Sequence, residues 1–166
     1  MDALLQRRSI RRYTKAAVNE DDVFYILRAA MSAPSAGNER PWHFVTIKDR
    51  ASLDRIMSFQ PHSQMLKEAP MAILVCGDES LEKYEGFWPQ DCAAAMENML
   101  LAACSKGLGS VWLGIYPVQE RMDSMREHMG LPPNVMPFAL MALGHPNEEK
   151  PVNNRFDASR VHEEKW

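Results

Sequence analysis

Little in this sequence points to the cell exterior, a membrane or nucleic acid. Its three cysteines, Cys76, Cys92 and Cys104, are an odd set with neither C-x-x-C spacing nor histidines at metal-ligand intervals. A disulfide framework and a thiolate metal site are therefore not expected; the three read as free thiols in a reducing cytoplasm. No long apolar h-region opens the chain, and the longest apolar stretches are broken by Glu97, Asn98 and Lys106 before membrane-spanning length, so the expected location is cytoplasmic, with no membrane partner. An excess of positive charge is also missing. With 19 basic and 22 acidic residues the net charge is -3, and no global field draws the chain to nucleic acid. There is no Walker motif, no Ser/His/Asp set, no paired carboxylates at a plausible site, and no G-x-G-x-x-G after a strand for a separate nicotinamide domain. His43, His62, His128, His145 and His162 are scattered, and each reads as a solvated or capping residue.

What is present is enough apolar residue, 46% against 25% charged, for a core in a chain of 166 residues. That length suits one domain, residues 1–166. Twelve methionines are scattered and read as core filler. A helix is expected from Asn19 to Ala30, with Asn19 as cap, Glu20, Asp21 and Asp22 in the first turn, and Val23, Ile26, Leu27 and Ala30 on one face. Trp42–Ile47 reads as a strand and Ala51–Met57 as a helix. Met71–Cys76 is a continuous apolar run, the pattern of a mid-sheet strand covered on both faces. From about Trp88 to Lys106 the chain is helical in composition and apolar on nearly every side, which calls for burial all round. The sheet covers one side of it, so a second subunit is the natural cover. Ser110–Leu113 and Phe138–Leu143 read as strands, and Val118–Met129 as a helix ended by Gly130-Leu131-Pro132-Pro133. Residues 145–166 lack a periodic apolar face and are expected to be an extended tail that wanders or packs on a partner subunit. The fold class is α+β: helices on a small sheet.

Three stretches carry chemistry. Arg7-Arg8-Ser9-Ile10-Arg11-Arg12 packs four arginines into six positions of an acidic chain. In an extended backbone Arg7, Ser9 and Arg11 share a side and converge on an anion such as a phosphate; the alternative is a solvated basic turn or a weak nucleic-acid patch. The small-residue loop Ala33-Pro34-Ser35-Ala36-Gly37-Asn38 allows close approach of a flat ligand, with Asn38 as both donor and acceptor, although an ordinary helix-to-strand loop has the same composition. Gly107-Leu108-Gly109-Ser110-Val111-Trp112-Leu113-Gly114 ends a strand in glycine, where backbone N–H groups can face a ligand.

In this order, the three stretches, with Lys67-Glu68-Ala69-Pro70 and Ala142-Leu143-Gly144-His145-Pro146, resemble the nitroreductase family of flavoproteins over almost the whole chain. The resemblance implies an α/β sandwich with a small mixed sheet flanked by helices, assembled as an intertwined homodimer. It implies FMN as cofactor, NAD(P)H as electron donor, and a small-molecule acceptor such as a nitroaromatic, quinone or flavin reduced in a ping-pong cycle. Arg7, Arg8, Ser9 and Arg11, joined by Arg155 of the tail, match the phosphate and ribityl clamp. Pro34, Ser35, Ala36 and Asn38 match the loop that meets the flavin from the other subunit, and Gln64 matches a contact to the pyrimidine edge. Leu113, Gly114 and Ile115 match the segment whose amide approaches flavin N5, which carries the chemistry in place of a catalytic side chain. Two departures are Arg40, where glutamine is common, and Asn153, where many members have a second basic residue. A non-catalytic flavin-binding regulator and a dehalogenase-type flavoenzyme are the alternatives; the short segment Asp78 to Pro89 argues against the closing lid a dehalogenase needs. Its Tyr84, Phe87 and Trp88 either line the substrate face or anchor the long helix.

Overall fold

The computed structural model describes residues 2–166. Its regular elements, in chain order, are α1 (Ala3–Gln6), α2 (Glu20–Met31), β1 (Trp42–Ile47), α3 (Arg50–Phe59), β2 (Met71–Asp78), α4 (Trp88–Ser105), β3 (Gly109–Gly114), α5 (Gln119–Met129) and β4 (Val135–Gly144). The four strands form one sheet in the order β1-β2-β4-β3, and all three pairings are antiparallel. The parallel element of the sheet is the one-residue bridge between Ser9 and Ser110.

Side-chain alternation along β2 builds two cores at once. Met71, Ile73 and Val75 face α4 and α2, while Ala72, Leu74 and Cys76 face α3 and α5. All eight residues of the strand are buried, and each large aliphatic side chain so covered contributes ~1.5–3 kcal/mol. The strand runs on through Gly77-Asp78, two residues past the expected end. Gly77 lies flat under the Trp88 indole, where a Cβ would stand 2.3 Å from Cε3. Asp78 is held by Ser80 N–H (2.9 Å) and Asn134 Nδ2 (2.8 Å). On β4, Pro137 breaks the sequence pattern of a strand but falls where the β2–β4 register shifts, a position that tolerates a residue without an N–H.

Helix ends follow local chemistry. The Asn19 side chain accepts Asp21 N–H at 2.9 Å to start α2, and Gly130, with φ 63° and ψ 37°, closes α5. The long helix α4 departs from its sequence reading. Its own chain covers more of it than expected, because α2 lies along the side away from the sheet. A stripe of Ala93, Ala94, Leu101 and Cys104 stays half-buried, with Gln90 and Glu97 exposed on the same side.

Candidate functional site

The arginine segment becomes an arm along the edge of β3. Ile10 N–H donates to Ser110 O at 3.0 Å, and the Ile10 side chain turns inward so tightly over Gly109 that a Cβ there would lie 2.7 Å from its Cγ2. Tyr13, 3% exposed, donates its hydroxyl to Ile10 O at 2.6 Å, and burial pushes its phenol well above the ordinary range. Two carboxylates tie down the backbone between them: Glu148 accepts the N–H groups of Arg11 (2.5 Å) and Arg12 (3.2 Å), and Glu68 that of Tyr13 (3.0 Å). These N–H donors hold both carboxyls below the usual value. With Ile10 inward, Ser9 and Arg11 face out, and together with Arg7, Arg8, Lys150 and Arg155 they line a cavity of about 360 Å³.

The cations of this cavity are not equivalent. Arg8 spends Nε on Pro151 O (2.8 Å) and Nη1 on the carbonyls of Leu5 and Arg7, so it straps the tail to the arm; its buried Nη2 has no partner. Arg7 stands 3.6 Å from Glu97 of α4. Arg12 turns the other way, onto Glu68 at 2.9 Å. Arg11 also lines a second cavity, of about 420 Å³, with Gln60, His62, Gln64, Gly114 and Arg121. A cationic cavity therefore adjoins one of roughly the size of a small ring system.

Edge-strand geometry supplies backbone donors to the second cavity. Ser110 O is turned outward to Ile10, and Ile115 N–H is turned inward to Phe138 O at 3.2 Å. By alternation the N–H of Gly114 shares the outward side with Ser110. Gly114 O accepts Gln60 Nε2 (2.8 Å) and Arg121 Nη1 (3.2 Å). A Cβ at Gly114 would meet nothing within 4 Å, so the space before it is open. Gln60 is 1% exposed, and its Oε1 is buried with no partner. Of the three sequence-predicted residues here, Leu113 and Ile115 bury their side chains, and Gly114 turns its N–H to the outward side of the strand.

The small-residue loop lies elsewhere on the protomer. Gly37, Asn38 and Arg40 have φ of 51°, 56° and 49°, a strained run that persists because neighbours fix it. Ala36 N–H donates to Asp91 Oδ1 (3.0 Å), Arg40 N–H to Ser35 Oγ (3.0 Å) and Lys83 Nζ to Gly37 O (2.9 Å). Glu39 accepts Lys83 N–H at 2.7 Å. Pro34, Ser35, Ala36 and Asn38 line neither cavity of their own chain. Trp88, 5% exposed, anchors α4, whereas Tyr84 and Phe87 stay exposed beside the loop.

Arm, tail, Gln64 and the β3 end thus come together, and the loop stays apart. The sequence reading took His62 as solvated or capping and passed over Gln60, Arg121 and Lys150. Lys150 had a signal as a basic residue of the tail, but Arg121 on a polar helix had none. Among the described residues, no helix is long and apolar enough to cross a membrane, and no group of three or more His, Cys, Asp or Glu is placed to hold a metal ion.

Residues 4–145 match the family model described as the nitroreductase family. A Methanothermobacter thermautotrophicus protein bearing the name NADH dehydrogenase/NAD(P)H nitroreductase is 47% identical over 100% of this chain and 87% of its own length. A crystal structure from Clostridium acetobutylicum, titled as an NADH oxidase, superposes with TM-score 0.96 at 43% identity and covers 99% of this chain and 100% of that one. A Desulfovibrio desulfuricans structure titled as a nitroreductase in complex with FMN superposes with TM-score 0.86 at 34% identity, covering 99% of this chain and 95% of that one.

Proposed function

Because the chain belongs to the nitroreductase family, we propose that it is an FMN-dependent oxidoreductase, working as a homodimer, that takes a hydride from NAD(P)H and reduces a small acceptor such as a nitroaromatic, quinone or flavin. The observation that carries this reading is the pair of adjoining cavities sharing Arg11. One is lined by cations and a hydroxyl and suits a phosphate. The other offers open space over the Gly114 Cα and a buried, unpartnered Gln60 Oε1, and suits a flat ring bearing an N–H group.

Arg7, Ser9, Arg11 and Arg155 would hold the FMN phosphate and ribityl chain, with Arg8 bracing the arm against the tail. Gln64 and Gln60 would meet the pyrimidine edge of the ring. The Gly114 N–H would face its reactive centre. When bound, FMN supplies the redox chemistry, so the protein needs no catalytic acid or base of its own. Arg121 and Arg11 line the second cavity, and their positive charge would favour an electron-rich ring held there. Donor and acceptor would use the same open face in turn, the arrangement of a ping-pong cycle.

The second subunit supplies what one protomer lacks. Pro34, Ser35, Ala36 and Asn38 line neither cavity of their own chain, and the half-buried stripe of α4 and the exposed Leu4, Leu5, Phe24 and Tyr25 lack full cover within the chain. A second copy laid against α4 would cover them, carry its loop to the first copy's cavity, and receive the 145–166 tail. The test is direct: the purified chain should be yellow, bleach with NADH or NADPH, and recover its colour with a quinone or nitroaromatic. Bleaching by dithionite alone would assign a flavin-binding regulator instead.

A further inference from the structure

Beneath the strained bend of residues 35–40, two buried carboxyls face each other with no donor between them. Asp91, in the first turn of α4, is 5% exposed, and Glu39 is 6% exposed. Asp91 Oδ1 accepts Ala36 N–H at 3.0 Å, and Glu39 Oε2 accepts Lys83 N–H at 2.7 Å and Tyr84 N–H at 3.3 Å. The two oxygens left over, Asp91 Oδ2 and Glu39 Oε1, are buried and unpartnered, while the side chains lie within hydrogen-bond reach of each other. Two ionised carboxyls in that position repel each other and leave dry oxygens unsatisfied. One proton removes both costs.

The surrounding charges favour retaining that proton. Glu82, whose Oε1 accepts Trp88 N–H at 3.0 Å, adds negative potential at Asp91. Lys83 is the cation that bears on the pair, and its Nζ is engaged by Gly37 O. The next residue of α4, Cys92, is held neutral by burial. Glu39 receives two backbone donors and Asp91 only one, so the negative charge settles on Glu39 and the proton on Asp91.

We propose that Asp91 is a carboxylic acid at neutral pH, donating its proton to Glu39 Oε1, and that this shared proton fixes the bend bearing Ser35, Ala36 and Asn38. Asp91 is thus a positioning residue, and its bearing on the cofactor rests on the functional reading above, whereas the proton itself does not. Burial pushes Asp91 up; at Glu39 burial acts the same way, but the Lys83 donor, the Asp91 hydrogen bond and the Tyr84 donor together outweigh it and hold Glu39 down. Unfolded, both groups ionise at about pH 4. The stabilisation by Asp91 is therefore complete below that pH and is lost as pH rises through its raised folded value, while the contribution of Glu39 is lost as pH falls through its lowered one.

The test uses the full chain, with and without saturating FMN, and the variant Asp91→Asn. The amide reproduces both hydrogen bonds without a titrating proton: its oxygen accepts Ala36 N–H and its NH2 donates to Glu39. Thermal midpoints measured without FMN from about pH 5 to about pH 9 should diverge, the variant gaining on the wild type as pH rises. A difference that is flat with pH, or a variant that does not fold, overturns the proposal. The wild-type infrared spectrum at neutral pH supplies a second readout: a protonated-carboxyl stretch, absent in Asp91→Asn and retained in Glu148→Gln, is expected, and its absence from the wild type also overturns it. If the midpoints diverge but no variant ever binds FMN, the shared proton stands and the cofactor reading falls.

Discussion

β2 and the tail beyond Lys150 both carry large apolar side chains, and they meet opposite fates. Every residue of β2 is buried within its own chain, whereas every residue from 151 to 166 is exposed, including Val152, Phe156, Val161 and Trp166. The strand's partners are all inside the protomer. The tail is held to its own protomer by Arg8, its apolar side chains would find cover on a second copy, and the arm and tail cations that line one cavity stand at that same boundary. Intrinsic stability therefore belongs to the sheet, and the proposed activity belongs to the rim that a second copy would complete.

Variants can separate the two regions, and the largest effect is expected in the sheet. Ile73→Ala empties a site with 0% exposure and should cost ~2–5 kcal/mol in urea unfolding. The same loss is expected in the tailless chain. Deleting residues 152–166 should leave unfolding of the sheet nearly unchanged while weakening FMN binding about 100-fold and shifting sedimentation toward the monomer. It removes both a charged contact worth ~1.5–3 kcal/mol and the tail's proposed hold on a second copy. Arg11→Ala should weaken FMN binding about tenfold or more by titration, with the thermal midpoint of the FMN-free chain unmoved. If Arg11→Ala instead lowers that midpoint as far as Ile73→Ala does, the division between sheet and rim is wrong.

The smallest effect concerns acid. Glu68 and Glu148 sit below their ordinary value because arm N–H groups donate to them, so their hold on the arm is complete above about pH 4.3 and fades as pH falls through their depressed folded values. Amide exchange at Arg11, Arg12 and Tyr13 should therefore accelerate relative to β2 on acidification. Glu148→Gln should bring that acceleration to neutral pH.

Legibility in the sequence divides along the same line. β1 was readable to the residue, and β2 and α4 nearly so, because their apolar patterns are answered by partners in the same chain. The end of β2 was hidden because Gly77 reads as a terminator, while its real reason is the Trp88 ring lying against it. Pro137 concealed the start of β4 in the same way. For α4 the apolar surround was readable but the share of it that α2 covers was not, since that depends on where α2 packs. At the candidate site, motif order pointed to the arm, Gln64 and Gly114, which the fold brings to the two cavities. Gln60 and Arg121 were invisible because each matters through one bond to Gly114 O, a contact that only the folded chain creates. Asp91 and Glu39 were invisible for the same reason, being 52 positions apart in sequence.

The central claim is that an arm from one chain and a bend from another share each FMN, and mixing subunits tests it most directly. Arg11→Glu damages the arm alone, and Pro34→Asp with Asn38→Asp damages the bend alone at two exposed positions. Each variant by itself should bind no FMN. Unfolded together and refolded as an equal mixture, they should recover about a quarter of the wild-type FMN per chain, because half the dimers are mixed and each mixed dimer has one intact site. No recovery, in a mixture shown by native mass spectrometry to contain mixed dimers, would contradict the account.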